Sequence, residues 1–114
     1  MDLRRLSLQR HWARFFERFD VVLCPPAPVG AIRHDHRPDI HQRTIEVDGI
    51  ARPYLDFLQW SALASGPGLP ATAAPVALGP DRMPRGVQII AAMDEDLTAI
   101  AVAGMIAAAG PSAP

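Results

Sequence analysis

The densest group of potential metal ligands lies in one polar stretch, where His34, Asp35 and His36 are followed by Asp39 and His41. Two histidines separated by one residue point the same way on an extended segment, and a nearby carboxylate would complete a zinc or non-haem iron site. The stretch has no helical HExxH motif and no paired cysteines. A polar surface loop explains the same residues, so His34, His36 and His41 are metal candidates beside that simpler interpretation.

The chain shows no complete nucleophilic site of its own. No serine stands in a GxSxG elbow or a serine pair; the serines are Ser7, Ser61, Ser65 and Ser112. All 11 basic residues are arginines, so chemistry that needs a lysine amine as base or nucleophile is excluded from these residues. Cys24 is the single cysteine, which rules out a disulfide within the chain. Because it follows the apolar run 21–23, we predict a small buried side chain.

Composition narrows the classes of partner. The chain has 114 residues, of which 49% are hydrophobic, and a formal net charge of -1. This length fits one domain, 1–114, with a core of its own. Near-neutral charge gives no reason to expect a nucleic acid or a membrane surface as partner. The apolar stretch 97–109 is too short to span a bilayer, so a cytoplasmic location is expected.

The first half of the chain predicts a helix, a strand, a loop and a hairpin. Trp12, Phe15, Phe16 and Phe19 recur at helical spacing and extend an apolar stripe from Leu3 and Leu6. The run 21–24 is continuously apolar, which indicates a strand buried on both faces and ended by two prolines. Residues 27–42 have no periodicity and predict a loop. Residues 43–52 predict a hairpin with its turn at Asp48-Gly49.

The second half predicts a helix, two strands and a final helix. The first helix is expected from Tyr54 to about Ser65, ended by a Gly-Pro-Gly sequence. Residues 72–78 predict a strand whose Pro75 suits an edge position or a bulge. Residues 86–91 predict a second strand, and three acidic residues at 94–96 predict the start of the last helix. The succession indicates an α/β class, with a mixed sheet and flanking helices.

Several short motifs, taken in order, resemble the C-terminal part of the amidase-signature family. The resemblance covers about residues 10–109 and is carried by the segments Trp12–Phe16, Phe19–Val29, His34–His36, Ile45–Gly49, Gly68–Thr72, Met83–Ile90 and Glu95–Ile100. The fold it implies is a partial amidase-signature fold. One departure is Arg85, which stands where the family usually has a small apolar residue. Because a buried unpaired charge is costly, we expect its guanidinium to reach solvent or a carboxylate.

The resemblance implies a hydrolase that cleaves carboxamide C–N bonds without a cofactor. Family members use a serine nucleophile, a second serine and a lysine base, and these residues lie upstream of the part matched here. None maps onto this chain, so it is expected to be inactive alone and to supply sheet scaffold and part of a substrate funnel. Pro25 and Trp60 are the residues that the resemblance suggests for the funnel lining.

Three explanations of such a chain are open: a truncated gene product, an excised fragment, or a subunit that docks on a partner carrying the nucleophile. The expected partners are a small amide substrate in the complete enzyme and an N-terminal amidase half, or a second copy through self-association. Two other classes compete with this interpretation. One is a non-enzymatic structural or interaction module, and the other is a small metalloprotein built on the histidine loop.

Overall fold

The computed structural model of the protein describes residues 2–110. The helices and strands are α1 (Leu3–Phe16), β1 (Val21–Cys24), β2 (Thr44–Val47), β3 (Ile50–Pro53), α2 (Ala62–Ser65), β4 (Ala71–Leu78), β5 (Pro84–Ala91) and α3 (Asp96–Ala109). Short 3-10 turns cover Ile40–Gln42 and Tyr54–Leu58. Helices packed with antiparallel sheets confirm the predicted α/β class. Within residues 2–110, no helix combines the length and the apolar character that a membrane span requires.

The central feature is a three-stranded antiparallel sheet in the order β1-β5-β4, formed within the described residues. Strand β5 lies in the middle, and its Ile90 is opposite Val22 on one side and Ala71 on the other. Residues 88–91 of β5 are all buried. A strand covered on both faces and paired at both edges is expected to be apolar throughout, which is what the sequence 87–91 shows apart from Gln88.

Helices cover the two faces of this sheet and create two apolar clusters. Ile90 contributes to one cluster, where Trp12 and Phe16 of α1 pack beside it, together with Cys24, Ala64, Leu69, Val22 and Trp60. Ile89 and Ala91 contribute to the other, which α3 covers through Ala99, Val102, Ala103 and Ile106. The small side chains of Ala99 and Ala103 let α3 approach the sheet closely. Alternate residues of β5 therefore hold opposite layers together.

Strands β2 and β3 form the predicted hairpin. They pair antiparallel, with Val47 opposite Ile50. Asp48 and Gly49 both adopt positive φ values, 52° and 77°. Two left-handed residues in a two-residue loop are typical of the turn whose twist matches the flanking strands.

Strand β4 confirms both expectations for Pro75. It occupies the outer position beside β5, and its register shifts between Pro75 and Ala77. Proline has no N–H to donate, so an edge strand with a bulge tolerates it where a central strand would not.

The buried Cys24 is confirmed as well, with 8% of its surface exposed.

The predicted helix from Tyr54 to Ser65 is wrong as a single α-helix. A 3-10 turn covers Tyr54–Leu58, and only Ala62–Ser65 is α-helical. The carbonyl of Trp60 accepts hydrogen bonds from Leu63 N and from the Gln88 side chain, and Ala64 N bonds to the carbonyl of Ser61 instead. The backbone after Trp60 thus begins with 3-10 bonding, and the Trp60 carbonyl also makes a tertiary contact with β5.

Two predicted burial patterns also differ from the structure. Leu23 is 55% exposed, so β1 is not buried on both faces. The reason is that β1 is an outer strand and α3 packs mainly on β4 and β5. In the predicted aromatic stripe, Phe16 packs on the core. Phe15 and Phe19, the latter beyond the end of α1, stack on each other with ring centroids 4.6 Å apart, and Phe19 is 51% exposed.

The central role of β5 leads to a stability prediction. Replacing Ile90, which has no exposed surface, with alanine removes apolar contacts and leaves a cavity. Ile90→Ala is expected to lower the free energy of unfolding by about 2–5 kcal/mol, measured by urea denaturation. Ile50→Ala is the matched control because Ile50 is 63% exposed. Equal losses in the two variants would contradict the assignment of the core.

Candidate functional site

A groove of about 510 Å³ lies where the segment after β1 passes the start of β5. Residues 25–31, residues 84–86 and Phe57 form its walls. Pro25 and Pro26 end β1 because they offer no N–H groups for further pairing. Fixed proline φ angles at 25, 26 and 28 give this wall a restricted backbone, which suits a surface that must keep its shape.

Arg85 enters this groove from β5 and forms an ion pair. Its Nη2 donates to Asp81 Oδ2 at 2.9 Å, and Asp81 Oδ1 accepts from Met83 N at 3.1 Å. The Arg85 hydrogen bond, with the Met83 N–H, holds the pKa of the Asp81 carboxyl below its usual value. The expectation that Arg85 reaches a carboxylate is therefore confirmed.

Gln88 of β5 connects the end of β1 with the segment before α2. It is 8% exposed, and its Nε2 donates to Cys24 Sγ and to the carbonyl oxygen of Trp60, both at 3.2 Å. Sequence reasoning did not single out Gln88. The available signal was a lone polar residue in an apolar strand, since a buried amide needs partners.

The two suggested funnel residues lie in different surroundings. Pro25 lines the groove, whereas Trp60 packs against the cluster of Cys24 and Ile90. Phe57, close to Trp60 in sequence, lines the groove instead. The structure therefore does not bring Pro25 and Trp60 together at this groove.

The histidine segment borders a broader, open depression of about 930 Å³. The rings of His34 and His36 are parallel within 5°, with centroids 5.7 Å apart. His41 lies in the 3-10 turn, where its backbone N–H donates to Asp39 Oδ1 at 2.9 Å. Asp39 thus caps a turn beside His41.

Asp35, which lies between His34 and His36 in the sequence, forms an ion pair with an arginine. Arg37 Nε donates to Asp35 Oδ1 at 3.0 Å, and Arg37 Nη2 forms an ion pair with Oδ2. These hydrogen bonds lower the pKa of Asp35 to about 2 and raise the pKa of Arg37. Among residues 2–110, no three histidine, cysteine or acidic side chains are grouped as a metal site would require. The metal hypothesis therefore has no cluster within this part of the chain.

Taken together, these features define a layered α/β scaffold with a proline-walled groove. Comparison with known proteins places it in a family. The family model described as Amidase matches residues 1–98. Over 97 residues the chain is 32% identical to a glutamyl-tRNA(Gln) amidotransferase subunit from Gluconobacter oxydans, an alignment that covers 85% of this chain and 18% of that protein. The chain therefore belongs to the amidase-signature family.

Solved structures give the same result for the fold. A structure reported from a vestigial protein complex, in work on the evolutionary origins of an s-triazine catabolic enzyme, matches with a TM-score of 0.77 and 27% identity, over 95% of this chain and 23% of that one. A bacterial aryl acylamidase of the amidase signature family matches with a TM-score of 0.75 and 24% identity, over 95% of this chain and 22% of that one. The chain spans about a fifth of the length of these relatives.

The ion pair between Asp35 and Arg37 predicts that the Asp35 carboxyl is protonated only at low pH. Because the folded pKa of Asp35 is depressed, the stabilisation from the pair is present above the ordinary pKa of 3.8 and is lost as the pH falls through about 2. Carboxyl NMR titration should give a midpoint near 2, and Arg37→Gln should return it towards 3.8. A midpoint unaffected by Arg37→Gln would show that another group perturbs Asp35.

The buried amide of Gln88 predicts a pH-dependent defect. Gln88→Glu places a carboxylate against the Trp60 carbonyl and should cost roughly 2–4 kcal/mol of unfolding free energy at pH 7. Burial raises the pKa of an unpaired glutamate, so the loss relative to wild type should shrink as the pH falls towards about 4. Urea denaturation at both pH values measures this, with Gln88→Met as the uncharged control. A loss that does not change with pH contradicts the buried position.

Proposed function

We propose that this chain forms the C-terminal scaffold of an amidase-signature hydrolase that cleaves carboxamide C–N bonds. The nucleophile and the lysine base are contributed by residues outside this sequence. In this proposal β5 and its neighbouring strands form part of a larger sheet, and the segment 25–31 forms part of the wall around the substrate.

The family match over residues 1–98 is the observation that carries the proposal. The Gluconobacter oxydans relative is named as an amidotransferase subunit, which supports chemistry at an amide nitrogen. The alignment covers only 18% of that protein. Its catalytic residues can therefore lie in the large part that this chain does not match.

The chemistry of the residues agrees with a supporting role. The chain has no lysine, and an arginine is too weakly acidic to exchange a proton as a lysine base does near neutral pH. Ser61 and Ser65 donate their hydroxyl hydrogens to the carbonyls of Leu58 and Ser61 within their own turn. Within residues 2–110, neither serine is bonded to a histidine or a carboxylate that would activate it.

The surface of α3 supports the need for further polypeptide around the chain. Apart from Asp96 at its start, this 14-residue helix carries no charge. One side packs on the sheet, yet Leu97, Ile100 and Met105, which lie away from that side, are 79%, 54% and 68% exposed. A helix that is apolar all round is normally covered on all sides. This favours a scaffold inside a larger fold, or a docking subunit, over an isolated module.

A segment exchange tests the proposal. The matched segment of the Gluconobacter oxydans relative is replaced by this chain, and ammonia release from a simple primary amide is followed. The purified chain alone should give no turnover above buffer, the relative lacking its segment should also be inactive, and the exchanged protein should recover saturable hydrolysis. An exchanged protein carrying Ile90→Asp, which places a charge in the core, is the control for scaffold function.

Two outcomes oppose the proposal. Saturable amide hydrolysis by the purified chain alone would mean that it holds a complete catalytic site. A soluble, folded exchanged protein without activity would mean that these residues do not supply the scaffold that the relative needs.

A further inference from the structure

The guanidinium group of Arg85 lies against two glycines from different parts of the chain. A Cβ atom added to Gly30 would lie 2.5 Å from Arg85 Nη1 and 2.7 Å from its Cζ. A Cβ atom added to Gly79 would lie 2.7 Å from Nη2. These distances are too short for a side chain at either position unless the guanidinium moves. Arg85 therefore fills the space between the groove wall and the turn that joins β4 to β5.

The orientation of Arg85 is fixed from the side of that turn. Asp81 holds Nη2 through the ion pair described above. On the other side Nη1 is buried, and within residues 2–110 it has no hydrogen-bond partner. Burying a donor without an acceptor is unfavourable, so the position of Nη1 against Gly30 depends on the Asp81 pair and on packing.

Residues 25–31 are held by packing and not by backbone hydrogen bonds. They take part in none of the backbone hydrogen bonds that turns and loops form within residues 2–110. Proline at three of these positions removes N–H donors that could have made such bonds. Side-chain packing must therefore set the position of this wall, and Arg85 is a charged side chain that lies against it at Gly30.

We propose that Arg85 is a positioning residue that clamps the 25–31 wall against the β4–β5 turn and so sets the width of the groove. The description of this wall as part of a substrate funnel rests on the proposed function. The clamp itself is independent of any reaction.

A double-mutant cycle in the full chain tests the clamp. The variants are Arg85→Met, Gly30→Ala and the double variant, with Arg82→Met as the control for loss of charge on the same turn. Native-state thermolysin cleavage between Ala31 and Ile32, followed by mass spectrometry, reports wall opening. Urea denaturation followed by tryptophan fluorescence reports the global unfolding constant.

Arg85→Met is expected to speed cleavage at the wall by about tenfold, with a smaller change in the global unfolding constant, because local opening needs only the wall to separate. Gly30→Ala should act the same way, since its methyl group displaces the guanidinium. The double variant should match Arg85→Met alone, because the two changes break one contact. Arg82→Met should stay within about twofold of wild type.

The clamp would be overturned if the double variant were cleaved faster by the product of the two single effects. It would also be overturned if Arg82→Met sped cleavage as much as Arg85→Met. If Arg85→Met does not fold, Arg85→Lys replaces it: the slimmer amine should leave room for the added methyl group, so combining Gly30→Ala with Arg85→Lys should change nothing further. These measurements use no amide. Loss of coupling would refute the clamp alone, whereas an inactive exchanged protein would refute the proposed function alone.

Discussion

The double burial of β5 is the constraint on which the rest of the structure depends. Its alternate side chains serve two cores, Ile90 on the α1 side and Ile89 and Ala91 on the α3 side. Residues 88–91 of this strand are buried on both faces, so Gln88, the one polar residue among them, must find partners inside the protein. Gln88 finds them in Cys24 and Trp60, and this contact fixes the segment before α2.

The groove follows from the same arrangement. Strand β1 pairs with β5 along Val21–Cys24 and then stops at two prolines, which leads the chain away from the sheet just where β5 begins. The start of β5 brings Arg85 beside this departing segment. The groove is thus formed by the ends of elements whose interiors form the core, an arrangement common for binding surfaces on rigid scaffolds.

Sequence patterns predicted the local elements well and the tertiary contacts poorly. The hairpin at Asp48-Gly49 and the interruption at Pro75 were predictable because the turn and the bulge depend on the residues that form them. The helix predicted from Tyr54 is divided into a 3-10 turn and a short α-helix, and between them the Trp60 carbonyl accepts from Gln88, which is distant in sequence. The exposure of Leu23 depends on which strands α3 covers, and a local sequence pattern does not predict this.

In the candidate site, too, the local features were predictable and the tertiary contacts were not. The family resemblance suggested Pro25 for a substrate funnel, and the expectation that Arg85 reaches solvent or a carboxylate followed from the cost of burying a charge. The contact between Arg85 and Gly30 could not be predicted, because it depends on how the segment after β1 folds back over β5. The histidine segment shows the opposite case: a suggestive sequence spacing in which the nearest carboxylate, Asp35, is already bound to Arg37.

The central claim is that these residues support an active centre whose nucleophile lies elsewhere. Intact-mass analysis of the purified chain after treatment with a serine-reactive fluorophosphonate tests it most directly, because an activated serine is labelled whatever its natural substrate. The account predicts no adduct on this chain. A stoichiometric adduct on Ser61 or Ser65 would contradict it.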